Sequence, residues 1–312
     1  MKMLILFFSQ TQYTRKVAER MRTGALQSGA GCELASIRDV DTATLHRYDL
    51  VGLGTPVFYY QEPANVRQFI ADLPELTGKH WFIFTTHAST IGITMDSMRQ
   101  GLENKGAVIV GYHDTYADST MPVIPFPTLT TGHPDESEYE AAQRFGGEIV
   151  QTAQRIADGD TSLIPSLDYV PDQWADLAES LKLENLAEFL PPLRIDKDTC
   201  TQCHTCEENC PVDGIDAEAD PPSIQNPCIY CYRCVMVCPE IAIDAVDGDW
   251  GSLQEGMPTS YQLYRERLDA AAARGEFKWL IDPDTLDFEN TQLKQRRAKL
   301  EAERARKAGE KG

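Results

Sequence analysis

Two cysteine runs constrain what this chain can fold into more than anything else in it. Cys200–Pro211 reads CTQCHTCEENCP and Cys228–Pro239 reads CIYCYRCVMVCP, so both follow C-x2-C-x2-C-x3-C-P. Each cysteine of the first run recurs 28 residues later, as do Pro211/Pro239 and Ile215/Ile243, which marks an internal duplication. Three cysteines at such short intervals wrap one face of a cubane iron–sulfur cluster, and a fourth followed by proline points away and completes another. The spacing therefore assigns Cys200, Cys203, Cys206 and Cys238 to one [4Fe–4S] cluster, and Cys228, Cys231, Cys234 and Cys210 to a second. Structural zinc is the plain alternative. It takes four ligands, usually as separated C-x2-C pairs, and leaves evenly spaced triplets unexplained.

The remaining cysteine, Cys32, reads as a small buried side chain. The apolar run at the start, Met3 to Phe8, is shorter than the core of about 7–15 residues that an export signal needs. Clustered thiols are thus expected in a reducing compartment, the cytoplasm, as metal ligands rather than disulfides. No segment approaches 18 apolar residues, so no membrane span is expected. The net charge is −19, while residues 291–312 hold eight Lys or Arg against three Glu, leaving −24 on the rest. Such a body repels nucleic acid and anionic membrane and attracts basic protein faces. The basic tail reads as a solvated helix.

With this spacing, residues 194–247 resemble the bacterial two-cluster ferredoxins. His204 and Tyr232 stand where small glycines are common. The resemblance implies one-electron transfer. The eleven Asp/Glu against two Lys/Arg over residues 196–247 suit docking to a redox protein with a basic face.

The first 160 residues alternate short apolar runs with amphipathic stretches. Strands are expected at Lys2–Phe8, Cys32–Ile37, Asp49–Gly54, His80–Thr86 and Ala107–Tyr116. Helices are expected at Thr14–Ser28, Pro63–Leu73, Thr94–Asn104 and Asp135–Ala157, the last opened by an Asp135/Glu138 capping box. Alternation of this kind predicts an α/β domain with a parallel sheet covered on both faces.

Ser9, Thr11 and Thr14 fall between the first strand and first helix. Hydroxyls and backbone N–H groups at a helix N-terminus make an anion site. Neither a nucleoside triphosphate loop nor a G-x-G-x-x-G fingerprint follows this strand, and Gly52/Gly54 form only a weak G-x-G on the third. A strand followed by Ser9, Thr11, Thr14 and then Ala18 resembles the flavodoxin family, with Gln12 standing where glycine is usual. The resemblance covers residues 1–159. It implies a doubly wound sheet of order 2-1-3-4-5 and FMN, its phosphate held by Ser9, Thr11, Thr14 and the N–H groups of Gln12 and Tyr13. It places the flavin ring against Thr55, Pro56, Val57, Phe58 and Tyr59 after the third strand, and against Thr86, His87 and Ala88 after the fourth. Tyr60 offers another aromatic face. No catalytic residue is identified; His87 is the one candidate, as a hydrogen-bond partner or proton donor to the flavin or simply a satisfied loop residue, and Asp114, Tyr116 and Asp118 either line the substrate side or are solvated.

The expected organisation is a flavodoxin-like domain (1–159), a connector (160–193) with Pro165, Pro171, Pro191, Pro192 and a helix around Trp174–Leu183, a small α+β two-cluster domain (194–247), and a helical extension (248–312). Tyr261–Arg274 and Gln292–Lys307 read as helices, and Glu276–Phe288 as a loop. The connector and extension either brace the domains or form the subunit interface of a homo-oligomer. Two functions follow from the combination. One is an oxidoreductase in which electrons from a protein donor pass through the clusters to FMN and reduce a small substrate. The other is an electron carrier between redox partners with no substrate of its own.

Overall fold

Five apolar runs become the strands β1 (Lys2–Phe7), β2 (Gly31–Ser36), β3 (Leu50–Pro56), β4 (His80–His87) and β5 (Val108–Tyr116). They pair in parallel in the order β2-β1-β3-β4-β5, the order the resemblance implies. The structure, a computed structural model, describes residues 1–167, 172–225 and 228–309. The chain divides into two units, Met1–Asp118 with Gly132–Lys182, and Ser119–Thr131 with Leu183–Gly312. Pro171, one of the connector prolines, lies outside the described residues.

Parallel neighbours need crossover connections. Helices α1 (Tyr13–Gln27), α2 (Ala64–Asp72) and α3 (Thr94–Glu103) supply three of them, and α4 (Glu136–Ala157) follows β5. Helix α1 turns Val17, Met21 and Ala25 inward onto Met3, Ile5, Phe82 and Phe84, as its four-residue spacing requires. Asp135 accepts from the N–H groups of Ser137 and Glu138, and Glu138 returns the bond, so the capping box opens α4. The weak G-x-G on β3 is a packing device. A Cβ on Gly52 would lie 2.1 Å from the Phe82 ring, and one on Gly54 would lie 1.9 Å from the Phe84 ring.

One connector helix was expected and two are found, α5 (Asp172–Ser180) in the first unit and α6 (Leu183–Phe189) in the second. The break comes where Leu181 and Lys182 turn the chain between them.

In the second unit, β6 (Leu193–Ile195) pairs antiparallel with β9 (Ile243–Ala245), and β7 (Ile215–Asp216) with β8 (Ser223–Ile224). Helices α7 (Thr205–Glu208) and α8 (Arg233–Val237) each follow the second cysteine of a run. The duplication is written into the backbone. Left-handed residues recur in pairs at the 28-residue spacing: Gln202/Tyr230 (φ 51°, 51°), His204/Tyr232 (59°, 55°) and Asp213/Ile241 (53°, 54°). Glycine suits such positions because an L side chain there costs about 1–2 kcal/mol. Tyr232 offsets that cost by burial, its ring 5.4 Å from that of Trp250.

Three further helices complete this unit: α9 (Gly251–Glu255), α10 (Met257–Ala273) and α11 (Gln292–Gly309). Helix α10 starts earlier than Tyr261 because Pro258 fits its first turn. The expected loop between α10 and α11 contains one short 3-10 turn, Pro283–Thr285. Residues 119–131, expected with the first domain, belong to the second unit. Gln292 N–H donates to Ile124 O at 3.0 Å, Leu293 N–H to Pro122 O at 3.0 Å, and Phe126 N–H to Asn290 O at 2.9 Å. The basic tail is not simply a solvated helix. Arg296 donates to the carbonyls of Val235 and Cys238, while Arg297 and Arg304 pair with Asp244 and Glu240. An acidic unit and a basic helix attract, and these pairs are the local form of that attraction. Among the described residues, no helix is long and apolar enough to cross a membrane.

Candidate cofactor and metal sites

The turn between β1 and α1 is shaped for an anion. Gln12 is the N-cap of α1 and takes φ 73°, ψ −5°, so the turn has the left-handed residue for which glycine is best suited. Its side chain caps nothing, and the first helical turn contains no acidic residue. The N–H groups of Tyr13 and Thr14 begin the helix and lack intrahelical acceptors, which leaves the positive helix end open to a negative group. Ser9 and Thr11 are half-buried beside it. Thr14 is buried, and its Oγ1 lies 2.8 Å from Thr86 Oγ1 at the end of β4. That bond uses one of the two hydroxyl hydrogens and leaves the other for a further acceptor.

The loops after β3 and β4 are locked together. Val57 N–H donates to Thr86 O at 3.1 Å. Phe58 and Gln61 exchange two backbone hydrogen bonds of 2.9 and 3.0 Å, with Tyr59 (φ 50°) and Tyr60 (φ 66°) both left-handed between them. This is the geometry of a mirror-image hairpin turn, where Asn-Gly is usual, so two tyrosines there are strained. Ile93 N–H then donates to Tyr60 O at 2.8 Å, and a Cβ on Gly92 would stand 2.0 Å from that oxygen. Of the aromatic trio, Phe58 meets Phe8 edge-on at 6.2 Å and Tyr60 lies 5.2 Å from Trp174 on α5. Gln61 donates to Ala178 O at 2.9 Å and Leu181 O at 3.0 Å, pinning the end of α5 to the aromatic turn. Thr55 is buried and donates to Pro56 O, whereas Pro56, Val57, Tyr59 and Ala88 are half-buried.

His87 closes β4 with its ring buried. Nε2 lies 3.0 Å from Asp114 Oδ2, the ring is 4.7 Å from Tyr116, and Nδ1 is buried with no hydrogen-bond partner among the described residues. Burial alone would raise the Asp114 carboxyl, but the His87 hydrogen bond and the His87 and His113 charges outweigh it and hold it below the usual range. Asp118 sits close enough to raise the Tyr13 phenol, whose burial is the larger cause. An open anion turn beside strained loops and an unpartnered buried nitrogen fit a phosphorylated planar ring.

The cysteine runs converge in the crossed manner. One cavity is lined by Cys200, Cys203, Cys206 and Cys238 together with His204 and Pro239. Burial raises the Cys206 thiol, and the charges of Cys238 and Cys200 raise it further. Burial pushes Cys231 up to about 12 and Cys234 well up, with the charges of Cys228 and Cys210 adding to both. Cys206, Cys231 and Cys234 thus each feel cysteines of their own assigned set. Among the described residues, no three ligating side chains close on a single ion. Four thiols round a shared cavity fit a cage larger than an ion.

N–H donors reach the sulfurs in duplicate: Gln202 to Cys200 and Tyr230 to Cys228, both at 3.4 Å, and Gly214 to Cys210 at 3.1 Å and Ala242 to Cys238 at 3.3 Å. His204, on the rim, pairs with Glu207 at 2.8 Å. Cys32 is buried and its thiol is pushed up to about 12, mainly by burial, which suits an inert side chain.

Gln61, Gly92 and Arg296 were not expected to matter. A glycine in a threonine-rich loop and a basic residue in a basic helix carry no sign of what they will touch.

Residues 4–112 match the flavodoxin domain family, and residues 192–250 match the 4Fe-4S dicluster domain family. An uncharacterized protein of Methanocaldococcus jannaschii is 26% identical over 160 residues, which are 48% of this chain and 99% of that protein. The flavodoxin of Megasphaera elsdenii is 28% identical over 110 residues, 34% of this chain and 80% of its own. The solution structure of that flavodoxin in its two-electron reduced form covers 47% of this chain and 98% of its own, at 22% identity and a TM-score of 0.38.

Proposed function

From a chain that joins a flavodoxin domain to a 4Fe-4S dicluster domain, with FMN and two [4Fe–4S] clusters as their cofactors, we propose an oxidoreductase that moves electrons between clusters and flavin to reduce a small substrate. Both domains belong to electron-transfer flavoprotein chemistry. FMN, when bound, supplies a centre that takes two electrons and releases them singly, and the clusters supply one-electron centres.

The residues have separate tasks in this reading. The hydroxyls of Ser9 and Thr11 and the N–H groups of Gln12 and Tyr13 hold the phosphate, and Thr14 with Thr86 braces the turn that presents them. Phe58 and Tyr59, fixed by the hairpin turn, and Thr55–Val57 flank the ring on one side; Thr86, His87 and Ala88 flank it on the other. Asp114 orients the His87 imidazole, leaving Nδ1 as the atom able to exchange a proton. Cys200, Cys203, Cys206 and Cys238 hold one cluster, and Cys228, Cys231, Cys234 and Cys210 the other.

The observation that carries the reading is the presence of both redox domains on one polypeptide, which makes their encounter intramolecular. The donor is a redox protein whose basic face meets the acidic dicluster unit, in a reducing, cytoplasmic setting. The exposed Cys203, four and five residues before Glu207 and Glu208 in the acidic unit, also favours a carrier working between two proteins. Anaerobic protein, reduced and mixed with small acceptors in the absence of any partner, separates the two. Turnover supports the oxidoreductase, while electron loss only to added redox proteins supports the carrier.

A further inference from the structure

The basic helix α11 delivers a guanidinium to the backbone of a cluster ligand. Arg296 is half-buried, with Nη1 donating to Val235 O at 2.6 Å and Nη2 to Cys238 O at 2.9 Å. The contact to Cys238 O places the cation on the backbone of a residue whose thiol lines the cavity of the first cysteine set. The position is held from several sides. Leu293 is buried one turn earlier, Gln292 and Leu293 are tied by backbone bonds to Ile124 and Pro122, and Arg297 and Arg304 pair with Asp244 and Glu240. Those last two arginines are largely exposed and reach only side-chain carboxylates, so they anchor the helix without touching a cluster ligand. Arg296 differs in burial and in what it binds.

One-electron reduction adds a negative charge to a cluster already surrounded by four thiolates. A cation fixed nearby, in a setting that water screens poorly, stabilises the reduced form more than the oxidised one. Net charge and hydrogen bonding are among the levers that set such potentials. We propose that Arg296 raises the reduction potential of the [4Fe–4S] cluster held by Cys200, Cys203, Cys206 and Cys238, so that α11 is a tuning clasp on that cluster. The proposal rests on the crossed assignment of Cys238 stated above.

The test is an anaerobic redox titration of the full-length, cluster-loaded protein followed by EPR, with the two signals assigned through Cys203→Ser and Cys231→Ser. Arg296→Gln is expected to lower the midpoint of the signal that Cys203→Ser alters. At fixed poise its reduced-to-oxidised ratio should fall roughly tenfold, about 59 mV for one electron. Arg296→Lys should restore most of the shift, because it keeps the charge. Arg304→Gln, which loosens an anchor but not the ligand contact, should leave both midpoints in place. An unshifted midpoint in Arg296→Gln, an equal shift in Arg304→Gln, or no recovery with lysine would overturn the proposal. A shift confined to the signal altered by Cys231→Ser would overturn the crossed assignment instead, since Arg296 would then be acting on Cys238 in the other cluster.

Discussion

Replacing Gly92 by alanine tests whether the clasp between the two flavin loops governs binding. The residue has φ +56°, and an added Cβ would fall 2.0 Å from Tyr60 O. Left-handed backbone costs an L side chain about 1–2 kcal/mol. Relieving the clash must also separate the loops and lose the bond from Ile93 N–H to Tyr60 O, worth about 0.5–1.5 kcal/mol. Flavin-free protein can relax by opening the loops, whereas the flavin-bound form needs them closed. Some 2 kcal/mol should therefore appear as weaker binding, roughly a 30-fold rise in Kd. Titrating flavin-free protein with FMN and following the quenching of its fluorescence measures this. Gly29→Ala is the matched control, with φ +84° but nothing within 4 Å of the new Cβ. It should lower stability by the backbone penalty alone and leave FMN affinity unchanged. Equal effects of the two variants on affinity, or wild-type affinity in Gly92→Ala, would refute the reasoning.

Three other expectations follow from the same geometry. Gln12→Gly relieves a left-handed side chain at about 1–2 kcal/mol while adding unfolded-state freedom, so urea unfolding should show a gain of about 0.5–1 kcal/mol; a loss would mean that the Gln12 side chain contributes a contact of its own. Cys210→Ala should remove the cluster of the Cys228 triplet and spare the other, and EPR showing the reverse would break the crossed pairing. Asp114 is held below its ordinary value, so its contribution is present above the unfolded carboxyl pKa of about 3.9 and fades as pH falls through the lower folded value. The stability gap between wild type and Asp114→Asn should thus be widest at neutral pH and close in acid; a gap independent of pH would show that the His87 bond is not its source.

The parallel sheet was legible because β1, β3 and β4 are buried apolar runs between turn residues, and α1 because Val17, Met21 and Ala25 repeat every four residues. The two clusters were legible because the C-x2-C-x2-C-x3-C-P spacing is a local property. So was the turn at Gln12, since a position usually filled by glycine announces a positive φ. What escaped was tertiary. Nothing near Gly92 in sequence says that Tyr60 O will approach it, and the pattern of α5 does not show that Gln61 will seize its last carbonyls. The tail was read from its charge alone, as solvated. Its partners Asp244, Glu240 and the Cys238 carbonyl lie more than 50 residues away, and only the fold brings them together. Residues 119–131 follow β5 in sequence yet bond to residues 290–293, an attachment no local signal marks.

Flavin and clusters of one molecule are expected to exchange electrons. Anaerobic laser-flash reduction of the flavin, with cluster bleaching followed at several protein concentrations, addresses this most directly. Intramolecular transfer gives flavin reoxidation and cluster reduction one shared rate constant that does not change with protein concentration. A rate that scales with concentration, or flavin reoxidation without cluster bleaching, would contradict it.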